Sequence, residues 1–316
     1  MPIDLNSIPE HLREAVSAGN VVPFIGAGVS RLAKGNPKQP LPTWNEFMED
    51  LLEVARFKGL QDHDEVQIRD LIKNGKFLMA AQALKEAIGD GHELPHYIRK
   101  RFLSSGAEPG DIHYSLFKLR PQIIMTTNYD VLLEQAARKL GRDVETVTPD
   151  KAHLIQQVLK GYESSETPLI FKIHGTAKDP DNIIFAERDY RELLYGLRGY
   201  RAVLSALFVT KVVLMLGFSN SDPEITMVLQ TLREGFRQRS SPDYIVLKRG
   251  VKGSVEKRRL SHDFGLEVIE YDPSDNHNEL VQLVEHLAKS VRRKPRVRAS
   301  APAPAKPVNA TPHNDL

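Results

Sequence analysis

Apolar residues fall into two kinds of run along this chain. Short continuous runs occur at 21–25 (VVPFI), 122–125 (QIIM), 169–173 (LIFKI), 211–216 (KVVLML), 244–247 (YIVL) and 266–271 (LEVIEY). They are strand-length and mostly lack the alternation of a half-exposed strand, which predicts a sheet covered on both faces. Between most of them, residues 130–140, 200–209, 223–238 and 278–291 carry apolar side chains at helical spacing. Strands alternating with helices predict an α/β fold built on a mostly parallel sheet. The stretch from Pro42 to Leu119 differs. Its apolar residues (Phe47, Leu51, Leu52, Ala55; Ile68, Leu71, Ile72; Leu78, Ala81, Leu84, Ile88; Ile112, Leu116, Leu119) keep helical spacing throughout, with no convincing strand. It reads as a small helical module inserted between the first and second strands of the sheet. No internal repeat at a fixed period is present.

Composition narrows the chemistry. The 316 residues contain no cysteine, which excludes thiol nucleophiles, disulfides, iron–sulfur clusters and thiolate zinc sites and favours a reducing, cytoplasmic setting. The first residues lack a secretory pattern, and no run approaches the roughly 18 apolar residues of a membrane span. Net charge is +2, yet the segment from Arg292 onward holds six basic residues against Asp315, leaving −3 for residues 1–291. The folded part therefore shows no global excess of positive charge to attract nucleic acid or a membrane. The Pro/Ala-rich tail, 292–316, has too few large apolar groups to offset the entropy of ordering it and is predicted to be disordered.

Candidate chemistry gathers at strand ends. The first strand runs into Gly26-Ala27-Gly28-Val29-Ser30, a turn that can bring backbone amides against a phosphate or simply pack a tight strand–helix corner. Arg31 breaks the full dinucleotide glycine pattern. A second strand ends in Thr126-Thr127-Asn128-Tyr129-Asp130, where Asn128 and Asp130 can face a ligand crevice or cap the following helix. The third candidate is Lys172-Ile173-His174-Gly175, with an imidazole suited to proton transfer near neutrality or to a merely local role. The fourth, Gly217-Phe218-Ser219-Asn220-Ser221-Asp222 before Pro223, offers Gly217 and Ser219 for a phosphate or ribose hydroxyl and Asp222 as an N-cap.

Taken together, FIGAGVS, TTNYD, KIHG and GFSNSD resemble the sirtuin-like superfamily, in the branch of bacterial NAD hydrolases of anti-phage defence. The resemblance spans roughly residues 21–271 and implies a Rossmann-like domain over 1–291, the helical insert occupying about 42–119. It implies that Gly26, Ala27, Gly28 and Ser30 surround the pyrophosphate of NAD+, with Thr127 among the binding residues. Asn128 and Asp130 would lie at the nicotinamide ribose and carboxamide, His174 would act as general base, and Gly217 and Ser219 would meet the adenosine half. Sirtuin deacylases follow their glycine turn with Gly-Ile-Pro-Asp-Phe-Arg and carry a four-cysteine zinc module. Here the corresponding stretch is Leu41-Pro42-Thr43-Trp44, and cysteine is absent.

The implied activity is hydrolysis of NAD+ to nicotinamide and ADP-ribose, with water as final nucleophile and no metal. Two alternatives stand beside it: a module that binds NAD or ADP-ribose without turnover, and an NAD-dependent protein deacylase. An ungated NAD hydrolase would poison its own cell. With sheet, insert and tail accounted for, control is expected from homo-oligomerisation or from a partner such as a HerA-like hexameric ATPase. Trp44, the only tryptophan, is expected either to sit at the family's lid or to anchor the insert.

Overall fold

All six continuous apolar runs become strands of one sheet. The computed structural model describes residues 8–35, 40–89, 91–160, 167–218, 229 and 242–291. Labelled in chain order, the main strands are β1 (Val21–Ile25), β4 (Ile123–Thr126), β5 (Glu145–Val147), β6 (Leu169–Lys172), β7 (Val212–Leu216), β8 (Asp243–Lys248) and β9 (Leu266–Tyr271). A separate antiparallel pair is formed by β2 (Lys34–Gly35) and β3 (Ala107–Glu108). The main sheet has the order β5-β6-β4-β1-β7-β8-β9, and every pairing in it is parallel. The fold is thus a Rossmann-like α/β sheet. Only β5 had no counterpart among the apolar runs; it is a three-residue edge strand with one buried side chain, too short and polar to announce itself.

Because side chains alternate across a strand, each run feeds two cores. Val22, Phe24, Met125, Phe171, Val213 and Met215 face one layer, covered by helices α9 (His153–Leu159), α10 (Glu187–Gly196) and α11 (Arg198–Thr210). Val21, Ile25, Ile124, Ile170, Leu214 and Leu216 face the other, covered by α1 (Glu10–Ser17), α7 (Asp111–Lys118), α8 (Leu132–Lys139) and the last described helix, Asn278–Lys289.

A third core lies inside α3 (Trp44–Phe57), α4 (Asp62–Lys73), α5 (Phe77–Ile88) and α6 (Glu93–Phe102). Thr43 opens α3 with a capping box: the Glu46 carboxylate accepts from the Thr43 amide at 2.7 Å, and the Thr43 hydroxyl accepts from the Glu46 amide. Half-buried Trp44 packs on this core, its ring 5.9 Å from that of Phe47, as an anchor of the insert would. Ile112, Leu116 and Leu119 belong to the second sheet-face core, because helical spacing is the same whichever surface a helix covers.

The chain leaves central β1 for β4 and its outer neighbours, then returns to β7 on the other side of β1. That reversal makes the carboxyl ends of β1 and β7 a topological switch point, where open α/β sheets take ligands. Apart from buried Leu229, the predicted helix 223–238 lies outside the described residues, as do Ser219 to Asp222 and the tail 292–316.

Candidate active site

The switch point is made of backbone. Gly26 donates to the Leu216 carbonyl at 2.9 Å and Gly28 to the Gly217 carbonyl at 2.8 Å. A Cβ on Gly28 would come to 2.7 Å from that carbonyl oxygen, and one on Gly217, at φ +74°, to 2.5 Å from the Val29 amide nitrogen. These glycines are required by mutual close approach. Gly26 is buried, and Ala27 and Gly28 are half-buried, so the turn keeps a surface with no side chain larger than a methyl.

Alongside it, the end of β4 is made of side chains. Asn128 donates through Nδ2 to the Gly26 carbonyl at 3.0 Å and to Ser30 Oγ at 2.8 Å. Ser30 in turn donates to Asp130 Oδ2 at 2.6 Å, and Asp130 Oδ1 accepts from the Leu132 amide at 3.0 Å. Both Asn128 donors are committed, which leaves the carbonyl oxygen of its half-buried side chain as the group available to a ligand. Asp130 is only 5% exposed; its carboxylate holds the first amide of α8, that of Leu132, and orients Ser30. Thr127, half-buried, is tied by its amide to the Ile25 carbonyl at 3.1 Å.

His174 stands on the neighbouring strand. Thr126 of β4 and Lys172 of β6 are register partners, and Asn128 and His174 each lie two residues beyond them in the chain. The loops are stitched together by the Ala177 amide donating to the Tyr129 carbonyl at 2.9 Å. The imidazole is buried and meets the Tyr190 ring edge-on, with the Tyr190 hydroxyl 3.4 Å from each ring nitrogen. The Ile184 carbonyl accepts from the hydroxyls of Tyr129 and Tyr190, and the Ile184 amide donates to the His174 carbonyl. The structure therefore brings Gly26, Ala27, Gly28, Ser30, Thr127, Asn128, Asp130, His174 and Gly217 to one end of the sheet. Ser219 falls outside the described residues.

Sequence reasoning passed over several residues that build this rim. Lys172, within the KIHG segment, lies beneath the Asn128–Asp130 loop with Glu134 as its counter-ion. His113, 1% exposed, accepts from the Gly110 amide at 3.1 Å. Burial pushes its pKa below the usual value, opposed by the Asp130 charge and the Gly110 hydrogen bond. A polar residue at a core position of an apolar helix pattern was the one available signal for His113. Among the described residues no three His, Asp or Glu side chains gather as metal ligands, and no helix is long and apolar enough to cross a membrane.

Residues 122–269 match the family model of the SIR2-like domain, which takes in TTNYD, KIHG and GFSNSD and begins after the glycine turn. The chain is 24% identical over 321 aligned residues to NAD(+) hydrolase ThsA of Enterococcus faecium, covering 92% of this chain and 60% of that protein. It is 27% identical over 198 residues to NAD(+) hydrolase ThsA of Acinetobacter baumannii, covering 59% and 40%. Defense-associated sirtuin 2 of Bacillus subtilis is 23% identical over 240 residues, covering 72% and 21%. The sirtuin-like resemblance read from the four segments is borne out by the match of residues 122–269 to the SIR2-like model and by the relatives above. The chain spans 60% or less of the length of each of these relatives.

Proposed function

We propose that this chain hydrolyses NAD+ at the nicotinamide glycosidic bond, giving nicotinamide and ADP-ribose. The observation that carries the reading is that Asn128 and His174 follow two residues after paired positions of adjacent strands, beside a glycine turn at the switch point of the sheet. Relatives named as NAD(+) hydrolases support it.

The chemistry suits these groups. The bond between the ribose anomeric carbon and the nicotinamide nitrogen breaks, its electron pair leaves with neutral nicotinamide, and an oxocarbenium-like ribose remains. Such a reaction needs charge stabilisation and a held water more than acid catalysis. The Asn128 carbonyl oxygen orients the ribose hydroxyls and the water. His174 takes the proton released as the water oxygen bonds to the anomeric carbon. Asp130 supplies a buried negative charge beside the developing cation and, through Ser30, holds Asn128 in place. The pyrophosphate lies on the open surface of the turn at Ala27 and Gly28, with Thr127 beside it and Gly217 and Ser219 toward the adenosine half.

In the cell this activity serves as an NAD-depleting effector of anti-phage defence in the cytoplasm. It is gated by homo-oligomerisation or by a partner such as a HerA-like ATPase, since unregulated turnover would be lethal. The test is incubation of the purified chain with NAD+ and no peptide, following free nicotinamide, alone and with candidate partners added. Nicotinamide release without peptide supports hydrolysis. Binding without release under every condition makes the chain a sensor, and release only with an acylated peptide makes it a deacylase.

A further inference from the structure

The Asn128–Asp130 loop rests on a buried cation. Lys172 is 1% exposed, and its ammonium has three N–H donors facing three acceptors. These are the Asn128 carbonyl at 3.2 Å, the Asp130 carbonyl in a closer contact, and Glu134 Oε1 at 3.5 Å. Glu134 is itself 7% exposed; its Oε1 also accepts from the Thr146 hydroxyl at 3.4 Å, and its Oε2 has no hydrogen-bond partner among the described residues. As a source of stability this is a poor arrangement. Burying two charges costs more than one ion pair ordinarily returns, and well-packed apolar residues of similar volume do as well or better.

What the ammonium secures is conformation. It accepts no alternative geometry in which the 128 and 130 carbonyls turn away, because its own hydrogen bonds would then be unmade at a position only 1% exposed. With both carbonyls held, the side-chain amide of Asn128 is delivered to Gly26 and Ser30, and its free carbonyl oxygen has one direction. Lys172 also lies only two residues before His174 on the same strand end, so one residue joins the backbone of the amide-bearing loop to the strand that carries the imidazole.

We propose that Lys172, neutralised by Glu134, is a positioning residue that pins the Asn128–Asp130 backbone and thereby sets the alignment of Asn128 against His174. This inference rests on the hydrolase reading above. Its test compares Lys172→Met with the double variant Lys172→Met/Glu134→Leu in the full chain, measuring melting temperature, kcat, KM and amide hydrogen exchange. The single variant strands a buried carboxylate and melts earlier, whereas the double variant removes both charges and recovers the melting temperature. Positioning requires that kcat of the double variant stay about a hundredfold low, the scale of a misplacement near ~1 Å, with KM within about threefold of wild type. Recovery of kcat together with melting temperature overturns the proposal, because the pair would then be structural only. If the wild-type chain releases no nicotinamide under any condition, the hydrolase reading falls separately, and exchange decides. Faster exchange of the Asn128–Asp130 amides in the folded double variant supports pinning, and unchanged exchange overturns it.

Discussion

The two halves of the rim are built by opposite means. At β1 and β7 the chain removes side chains, so that Gly26, Gly28 and Gly217 let two backbones touch. At β4 and β6 it buries polar side chains, with Ser30, Asn128, Asp130, Lys172 and Glu134 joined by directed contacts. Close backbone approach is a steric matter, tolerant of chemistry and intolerant of volume. A buried polar network is tolerant of neither, but its failure is felt first as misorientation. Damage to the first half is therefore expected to show in stability, and damage to the second in turnover.

The largest expected effects test the second half. Asn128→Ala and His174→Ala should each lower nicotinamide release by roughly a thousandfold or more while circular dichroism shows the fold retained. A variant that keeps full activity breaks the assignment. The first half is tested next by Gly217→Ala, which pairs a Cβ contact of 2.5 Å with φ +74° and should cost about 3 kcal/mol or prevent folding. The control is Gly141→Ala, at φ +65° with nothing within 4 Å of the added carbon, which should cost about 1 kcal/mol. Equal losses in denaturant titrations would show that the contact with Val29 is not what demands glycine.

Ser30→Ala sits between the halves. It removes a donor from a nearly buried carboxylate and a hydroxyl from Asn128, so stability should fall by about 1–3 kcal/mol and kcat by roughly tenfold. A fall in stability alone would place Ser30 with the steric half. The smallest effect concerns pH. Burial holds the His113 pKa below its usual 6.5, so the unfolded chain takes up its proton first as pH falls. The stability contributed is complete above about pH 6.5 and is lost below it. Melting temperature should therefore decline in mildly acidic solution, and His113→Asn should flatten that part of the decline. An unaltered slope would remove His113 from the account.

How much of this was legible depended on the kind of signal. The strand at 21–25 matches its apolar run end to end, since a doubly covered strand must be apolar along its length, and the edge strand at 266–271 matches through the alternation of its buried residues with Glu267 and Glu270. Helices α9 and α10 had no clear run, because much of their surface is polar and their cover of the sheet rests on a few residues such as Ile155, Val158, Tyr190 and Leu193. At the site, Asn128, Asp130 and His174 stood out by residue type at strand ends. Lys172 did not, because a lysine after an apolar run looks like any exposed strand terminus until its burial is known.

By itself the order of residues determined every strand of the sheet but β5, its two covered faces, and the four strand ends where chemistry gathers. Those follow from local spacing, which needs no knowledge of what lies opposite. Only the folded chain decided that β7 returns beside β1, that Gly217 is demanded by the amide of Val29, that Asp130 spends its oxygens on Ser30 and Leu132, and that a lysine lies beneath Asn128. All of these but the Asp130–Leu132 bond are contacts between segments distant in the chain. Burial, hydrogen-bond satisfaction and close approach are properties of such pairs and belong to neither partner alone.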